Sequence, residues 1–314
     1  MSSSKPSRPE GDAMKSAIAE AVSLRFPPLA IFYAQEPPAE SKEAKGLCAM
    51  IPVAQAAKGE TVYFSATSCG CPGAAGGFGL AEFNRNAFPG GEECFNRFLS
   101  VGNEHWEQGR QVIEQMKAQD APKIFIEEFS EGEGFLKTPE LAAEFTASLP
   151  KIEPEGTYIV IKPLEKLLPG EKPKVVAFLV DADQLSALTV LANYARPGNG
   201  NVRIPFGAGC MTFALYPFYE SEQAVPHAIV GLTDISARFY LRKALGREFL
   251  SFTIPWSLFE EMESNVPESF LTRYSWKTMM KGNSEKSKKI DVRYRTLTVN
   301  RNSSKSQESL TQMR

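Results

Sequence analysis

At two places in the chain a cysteine stands a short distance past a turn glycine and a strand-like run. The first stretch runs from Gly59 through Thr61-Val62-Tyr63-Phe64-Ser65 to Cys69-Gly70-Cys71-Pro72-Gly73. The second runs from Gly200 through Val202-Arg203-Ile204-Pro205-Phe206 to Gly207-Ala208-Gly209-Cys210. A helix-like stretch precedes each glycine, Leu47 to Ile51 in one and Leu185 to Leu191 in the other. A chain that builds a helix, a strand and a glycine-bounded cysteine loop twice points to an internally duplicated domain with soft ligands on its loops. Offsets of 139, 140 and 141 residues each align some positions. Short helix–strand units also recur by chance, so duplication and coincidence both stay open.

The 314 residues hold one large domain or two smaller ones. With 43% hydrophobic residues and 21 phenylalanines there is material for a packed core. A net charge of -2 recruits neither nucleic acid nor an anionic membrane surface. That charge is unevenly placed: Lys281 to Arg314 carries nine basic and three acidic residues, about +6, which leaves about -8 on the remainder. Five cysteines cannot all pair, and the polar start Met1-Ser2-Ser3-Ser4-Lys5-Pro6 lacks a signal-peptide core. No apolar run approaches the ~18 residues of a membrane span. These features predict a cytoplasmic protein whose cysteines are ligands or small buried hydrophobes.

Residues 1–12 are rich in serine, proline and charge and are expected to be mobile. Asp12 is the expected cap of a first helix running towards Leu24. Strands are predicted at Leu29–Tyr33, before Cys69, at Lys123–Ile126, Tyr158–Ile161 and Val175–Val180, and near Ala228–Val230 and Phe249–Thr253. Helices are predicted over roughly 46–57 and 103–116, from Pro139, from Asp181 to about Tyr194, from Asp234, and after Pro255 to about Lys281. The fold class that follows is α+β or α/β, a mixed sheet with peripheral helices built from two similar halves. A single domain over 13–282 is expected, with pseudo-halves at about 13–150 and 151–282. Residues 283–314 are expected to form a disordered basic tail, in which only Ile290, Val292 and Tyr294 alternate as a strand would.

Several chemistries lack their residues. No Gly-Lys dipeptide exists to make a phosphate-binding loop, and Gly77-Phe78-Gly79-Leu80-Ala81-Glu82 lacks the third glycine of a dinucleotide fingerprint. A nucleophile elbow is missing, and two histidines, His105 and His227, cannot supply a three-histidine zinc site. The best chemical motif is Cys69-Gly70-Cys71-Pro72-Gly73, two thiols on a tight turn that a soft metal or iron–sulfur cluster accepts readily. Two packed thiols in a glycine-rich turn is the plainer alternative. Cys48 and Cys210 would raise the ligand count, whereas Cys94 reads as a core residue of an amphipathic helix. In Asp234-Ile235-Ser236-Ala237-Arg238, Asp234 caps a helix and Arg238 lies one turn on, able to pair with it or reach an anion. Tyr216-Pro217-Phe218-Tyr219 reads as core or pocket wall.

A set of stretches resembles the family called domain of unknown function 169. They are Cys48-Ala49-Met50 with Ala56-Ala57-Lys58-Gly59-Glu60, Cys71-Pro72-Gly73 with Gly77-Phe78-Gly79-Leu80, and Phe98-Leu99-Ser100-Val101-Gly102-Asn103. In the second half they are Ala182 to Leu188, Ala208-Gly209-Cys210, and Gly231-Leu232-Thr233-Asp234 with Ser236-Ala237-Arg238. The resemblance spans roughly 20–280 and implies no activity. It emphasises Cys48, Cys71 and Cys210, with Cys69 and Cys94 as local additions. The expected metal ligands are therefore Cys48, Cys71 and Cys210, with Cys69 beside them, their sulfurs converging on an iron–sulfur cluster or another thiophilic metal, with redox activity as the further expectation. The competing expectation is a small-molecule-binding or regulatory protein with structural cysteines, in which Asp234 and Arg238 bind the ligand. A small molecule or a redox protein is the expected partner; nucleic acid and membrane are not.

Overall fold

The computed structural model describes residues 14–44, 48–68, 71, 73–80 and 88–281. Its centre is one mixed sheet of eight strands: β1 (Leu29–Ala34), β2 (Lys42–Glu43), β3 (Val62–Ser65), β4 (Tyr158–Pro163), β5 (Val175–Val180), β6 (Val202–Arg203), β7 (Ala228–Gly231) and β8 (Leu250–Pro255). Across the sheet the order is β2-β3-β4-β1-β5-β8-β7-β6. Helices α1 (Ala17–Ala21), α2 (Met50–Ala57), α3 (Ala74–Gly77), α4 (Gly91–Phe98), α5 (Glu107–Ala118) and α6 (Lys123–Glu131) come before β4. So does α7 (Pro139–Ala147), and α8 (Ala182–Asn193), α9 (Tyr216–Ser221), α10 (Ile235–Leu245) and α11 (Trp256–Asn265) follow it. A last helix covers 274–281.

Strand periodicity sorts the core into two layers. In β5 every residue is buried; Val175, Ala177 and Leu179 enter one cluster, and Val176, Phe178 and Val180 the other. The first layer holds residues of α2, α3, α9 and α10, and the second those of α1, α8 and α11. Both layers contain aliphatic and aromatic side chains that are essentially inaccessible to water, which is what sandwiching a sheet between helices requires. Local chemistry sets the helix starts. Asp181 and Gln184 form a reciprocal capping box at α8, and Thr138 caps α7 with Pro139 in its first turn. Ser16 caps α1, in place of the expected Asp12, which lies outside the described residues.

Three expectations change. Lys123–Ile126 is helical because Phe125 and Phe129 recur at helical spacing, and Phe129 is fully buried against Phe88 and Phe125. The cysteine repeat matched β3 to β6. In the sheet β3 lies second from its edge, between β2 and β4, whereas β6 is an edge strand paired only with β7. What does recur is strand order: inward from either edge the strands run β2-β3-β4-β1 and β6-β7-β8-β5, with the outer pair parallel and the next pairs antiparallel. This is less than the two similar halves expected. Residues 74–147 insert α3 to α7 between β3 and β4 and carry a separate aromatic cluster, while α10 alone joins β7 to β8. The tail beyond 281, with Ile290, Val292 and Tyr294, lies outside the described residues.

Candidate functional site

Two parallel crossovers bring the cysteines to one face of the sheet. Cys48 lies between β2 and α2, and Cys210 in the first turn of the helix that runs from 209 to 221 after β6. That helix opens with a π-helical segment, Met211–Leu215, a distortion often found at functional sites. Cys71 lies between β3 and α3. Helix α2 packs on α10, and α3 on the π segment, so the four starts crowd together. Small residues permit this. A side chain at Gly77 would run into Cys210 Sγ, and one at Gly209 would stand 2.7 Å from Ala237 Cβ and 3.1 Å from Met50 Sδ.

Asp234 fastens the arrangement. It caps α10 by accepting the Ser236 N–H at 2.9 Å, and its other oxygen accepts the Gly209 N–H at 2.9 Å, directly beside Cys210. Its carboxyl is nevertheless raised from the usual aspartate range by burial, against the pull of those backbone donors. Cys48 Sγ accepts the Met50 N–H at 3.5 Å, and Cys48 and Cys71 both pack, partly buried, on the core that contains Cys210. Burial pushes the Cys210 thiol well up, and Cys71, Cys48 and Asp234 push it further. The Tyr216 hydroxyl, which donates to Phe206 O at 2.8 Å, is raised to about 12 by burial and then by Cys210. Three thiols drawn from positions 48, 71 and 210 therefore share one electrostatic neighbourhood, neutral at pH 7 as far as Cys210 is concerned.

The insertion covers the edge of this neighbourhood. The backbone N–H groups of Glu133, Gly134 and Phe135 donate to Phe98, Ser100 and Leu99 carbonyls at the end of α4. Held there, the Glu133 side chain accepts a hydrogen bond from Ser236 Oγ. Burial raises Glu133 to about 7; the Ser236 hydroxyl opposes the shift, and Asp234 and Glu128 add to it. Tyr240 is raised by burial, then by Glu128, Cys48, Cys71 and Glu133, so this phenol lies in the field of both the thiols and the carboxyls.

Of the residues expected from sequence, Cys48, Cys71, Cys210 and Asp234 come together. Cys69 lies outside the described residues. Among the described residues no group of three or more Cys, His, Asp or Glu is placed to hold a metal ion, so the gathering stops short of ligand geometry. Arg238 does not reach Asp234. It donates to the carbonyls of Leu232 at 3.2 Å, Phe249 at 3.0 Å and Arg247 at 2.5 Å, and so holds the ends of two loops. Cys94 is buried in the aromatic cluster of the insertion. Glu133, Ser236 and Tyr240 were not singled out for roles here. The one local signal for Glu133 is its bracket of Gly132 and Gly134, both with positive φ.

No helix among the described residues is long and apolar enough to cross a membrane. Comparison with known families finds one match, DUF169, described as an uncharacterised ArCR family, over residues 17–265. No curated protein and no solved structure matches the chain.

Proposed function

As the chain belongs to the DUF169 family, whose description assigns no chemistry, we propose that it is a thiol-site protein that takes up a thiophilic metal ion or an iron–sulfur cluster through Cys48, Cys71 and Cys210. The observation that carries this reading is the packing of Cys48 and Cys71 on the core that contains the buried Cys210, whose thiol is raised by burial first and then by Cys71, Cys48 and Asp234. Thiols from three distant parts of the chain meet on one patch of the core. Without a cation the Cys210 proton stays on, because burial and then the neighbouring Cys71 and Cys48 oppose its thiolate. A soft dication or cluster held by Cys48, Cys71 and Cys210 would supply the positive charge that favours their thiolates. Three cysteines would leave one iron of a four-iron cluster open to a substrate or to a fourth ligand, a position suited to redox work.

Anaerobic purification with metal and sulfide analysis tests the reading. Brown protein absorbing near about 400 nm, or stoichiometric zinc or another soft metal, is expected. The Cys48→Ser, Cys71→Ser and Cys210→Ser variants should each lose it while Cys94→Ser keeps it. Colourless, metal-free wild-type protein that also fails anaerobic reconstitution would leave the thiols as packing residues.

A further inference from the structure

Helix α10 turns Ala237, Leu241 and Leu245 into the first core layer beside α2 and leaves another face open. Ile235, 69% exposed, and Phe239, 40% exposed, lie four residues apart on the open face, and Arg242 follows three residues later. With Phe249, Arg238 and Arg247 they line a pocket of about 300 Å³. Its wall contains three arginines and no acidic side chain. Among the described residues no carboxylate forms an ion pair with any of the three. The nearby Glu248, whose carboxyl stands beside Gly246, is paired with Arg25 at 3.1 Å.

The three guanidinium groups are not equivalent. Arg238 is fixed by its three carbonyl acceptors, so it contributes charge but few donors. Arg242 lies over the Phe239 ring at 5.5 Å, and both it and Arg247 are exposed. Uncompensated arginine charge in a concavity walled by aromatic and aliphatic groups is suited to an anion with an apolar body. Guanidinium forks match carboxylate and phosphate oxygens, and the apolar wall removes the body from water.

We propose that this pocket binds a small organic anion, a single carboxylate or phosphate on an apolar body, with Arg242 and Arg247 gripping the anionic group and Ile235 and Phe239 covering the rest. The site is separate from the thiol reading, and the failure of either leaves the other standing. Calorimetric titration of the full chain with octanoate, octyl phosphate, octanol and inorganic phosphate tests it. Octanoate or octyl phosphate should bind, and whichever binds more tightly identifies the anionic group; octanol and inorganic phosphate alone should bind at least tenfold more weakly. Arg242→Gln with Arg247→Gln should weaken the amphiphile at least tenfold and flatten its salt dependence, with an unchanged melting temperature because both side chains are exposed. Should that double variant fold poorly, Phe239→Ser gives the same test from the apolar side. Binding of octanol as tight as that of the amphiphiles, equal binding by the variants, or no binding at millimolar concentration would each overturn the proposal.

Discussion

Cys94 and Cys210 are both buried thiols, at 1% and 8% exposure, yet they sit in opposite company. Cys94 is enclosed by the insertion's cluster of Phe88, Phe95 and Phe129, whose rings meet one another within that one stretch of chain. Cys210 is enclosed by the starts of helices from both ends of the chain, each bringing a thiol or a carboxyl. Burial raises both thiols. Burial therefore does not mark a site. What distinguishes Cys210 is that chemically active groups arrive from residues 48, 71, 133 and 234, at the expense of close backbone approaches at Gly77 and Gly209.

The sharpest way to separate the two regions is to damage one. Phe129→Ala should cost about 3–5 kcal/mol, the usual price of a large cavity in an aromatic core. Urea unfolding should show the loss, and bound metal per folded chain should stay as in the wild type. Gly77→Ala works on the other side. Its methyl collides with Cys210 Sγ, which should cost about 1–3 kcal/mol and remove metal binding with it. Retained binding in Gly77→Ala would show that Cys210 does not need its present seat.

Glu133 ties the two regions together and gives the comparison a pH axis. Its folded value of about 7 lies above the ordinary 4.5, so the folded chain holds this proton where the unfolded chain has released it. Stability from this group is full below about 4.5 and is lost as pH rises through 7. The groups facing it are Ser236, Asp234, Glu128 and Tyr240. Glu133→Gln should match the wild type near pH 4.5 and exceed it by on the order of 1–2 kcal/mol at pH 8, read from denaturation midpoints at each pH. A constant difference across that range would place Glu133 in water instead. The smallest effect belongs to Cys94→Ala, roughly 1 kcal/mol of lost apolar burial with no change in bound metal.

Sequence reading recovered those parts of the molecule whose determinants are local. The runs Tyr158–Ile161 and Val175–Val180 are apolar on both faces and became β4 and β5, and Asp181 and Asp234 cap α8 and α10 as their position before a helix predicts. Cys94 sits on the buried side of α4 with Phe95, as its place in an amphipathic helix predicts. Other features were invisible for a physical reason. Strand β2 is two exposed residues, Lys42–Glu43, ordered only by pairing with β3, so nothing in its composition announces it. Without β2, the wrong strands were aligned in the repeat. Lys123–Ile126 looked like a strand because four residues are too few to tell an apolar run from the first turn of α6. Arg238 stands one turn after Asp234, but spacing cannot reveal that three carbonyls claim its donors first. Glu133 and Tyr240 reach the site only through tertiary approach of the insertion to α10.

The central claim is that Cys48, Cys71 and Cys210 close on one soft metal centre. X-ray absorption at the metal edge of anaerobically purified protein tests it most directly. The account predicts a sulfur shell at about 2.3 Å with at least three scatterers, diminished in Cys210→Ser and unchanged in Cys94→Ser. A wild-type shell of light atoms only, or a sulfur shell that survives the loss of Cys210, would contradict it.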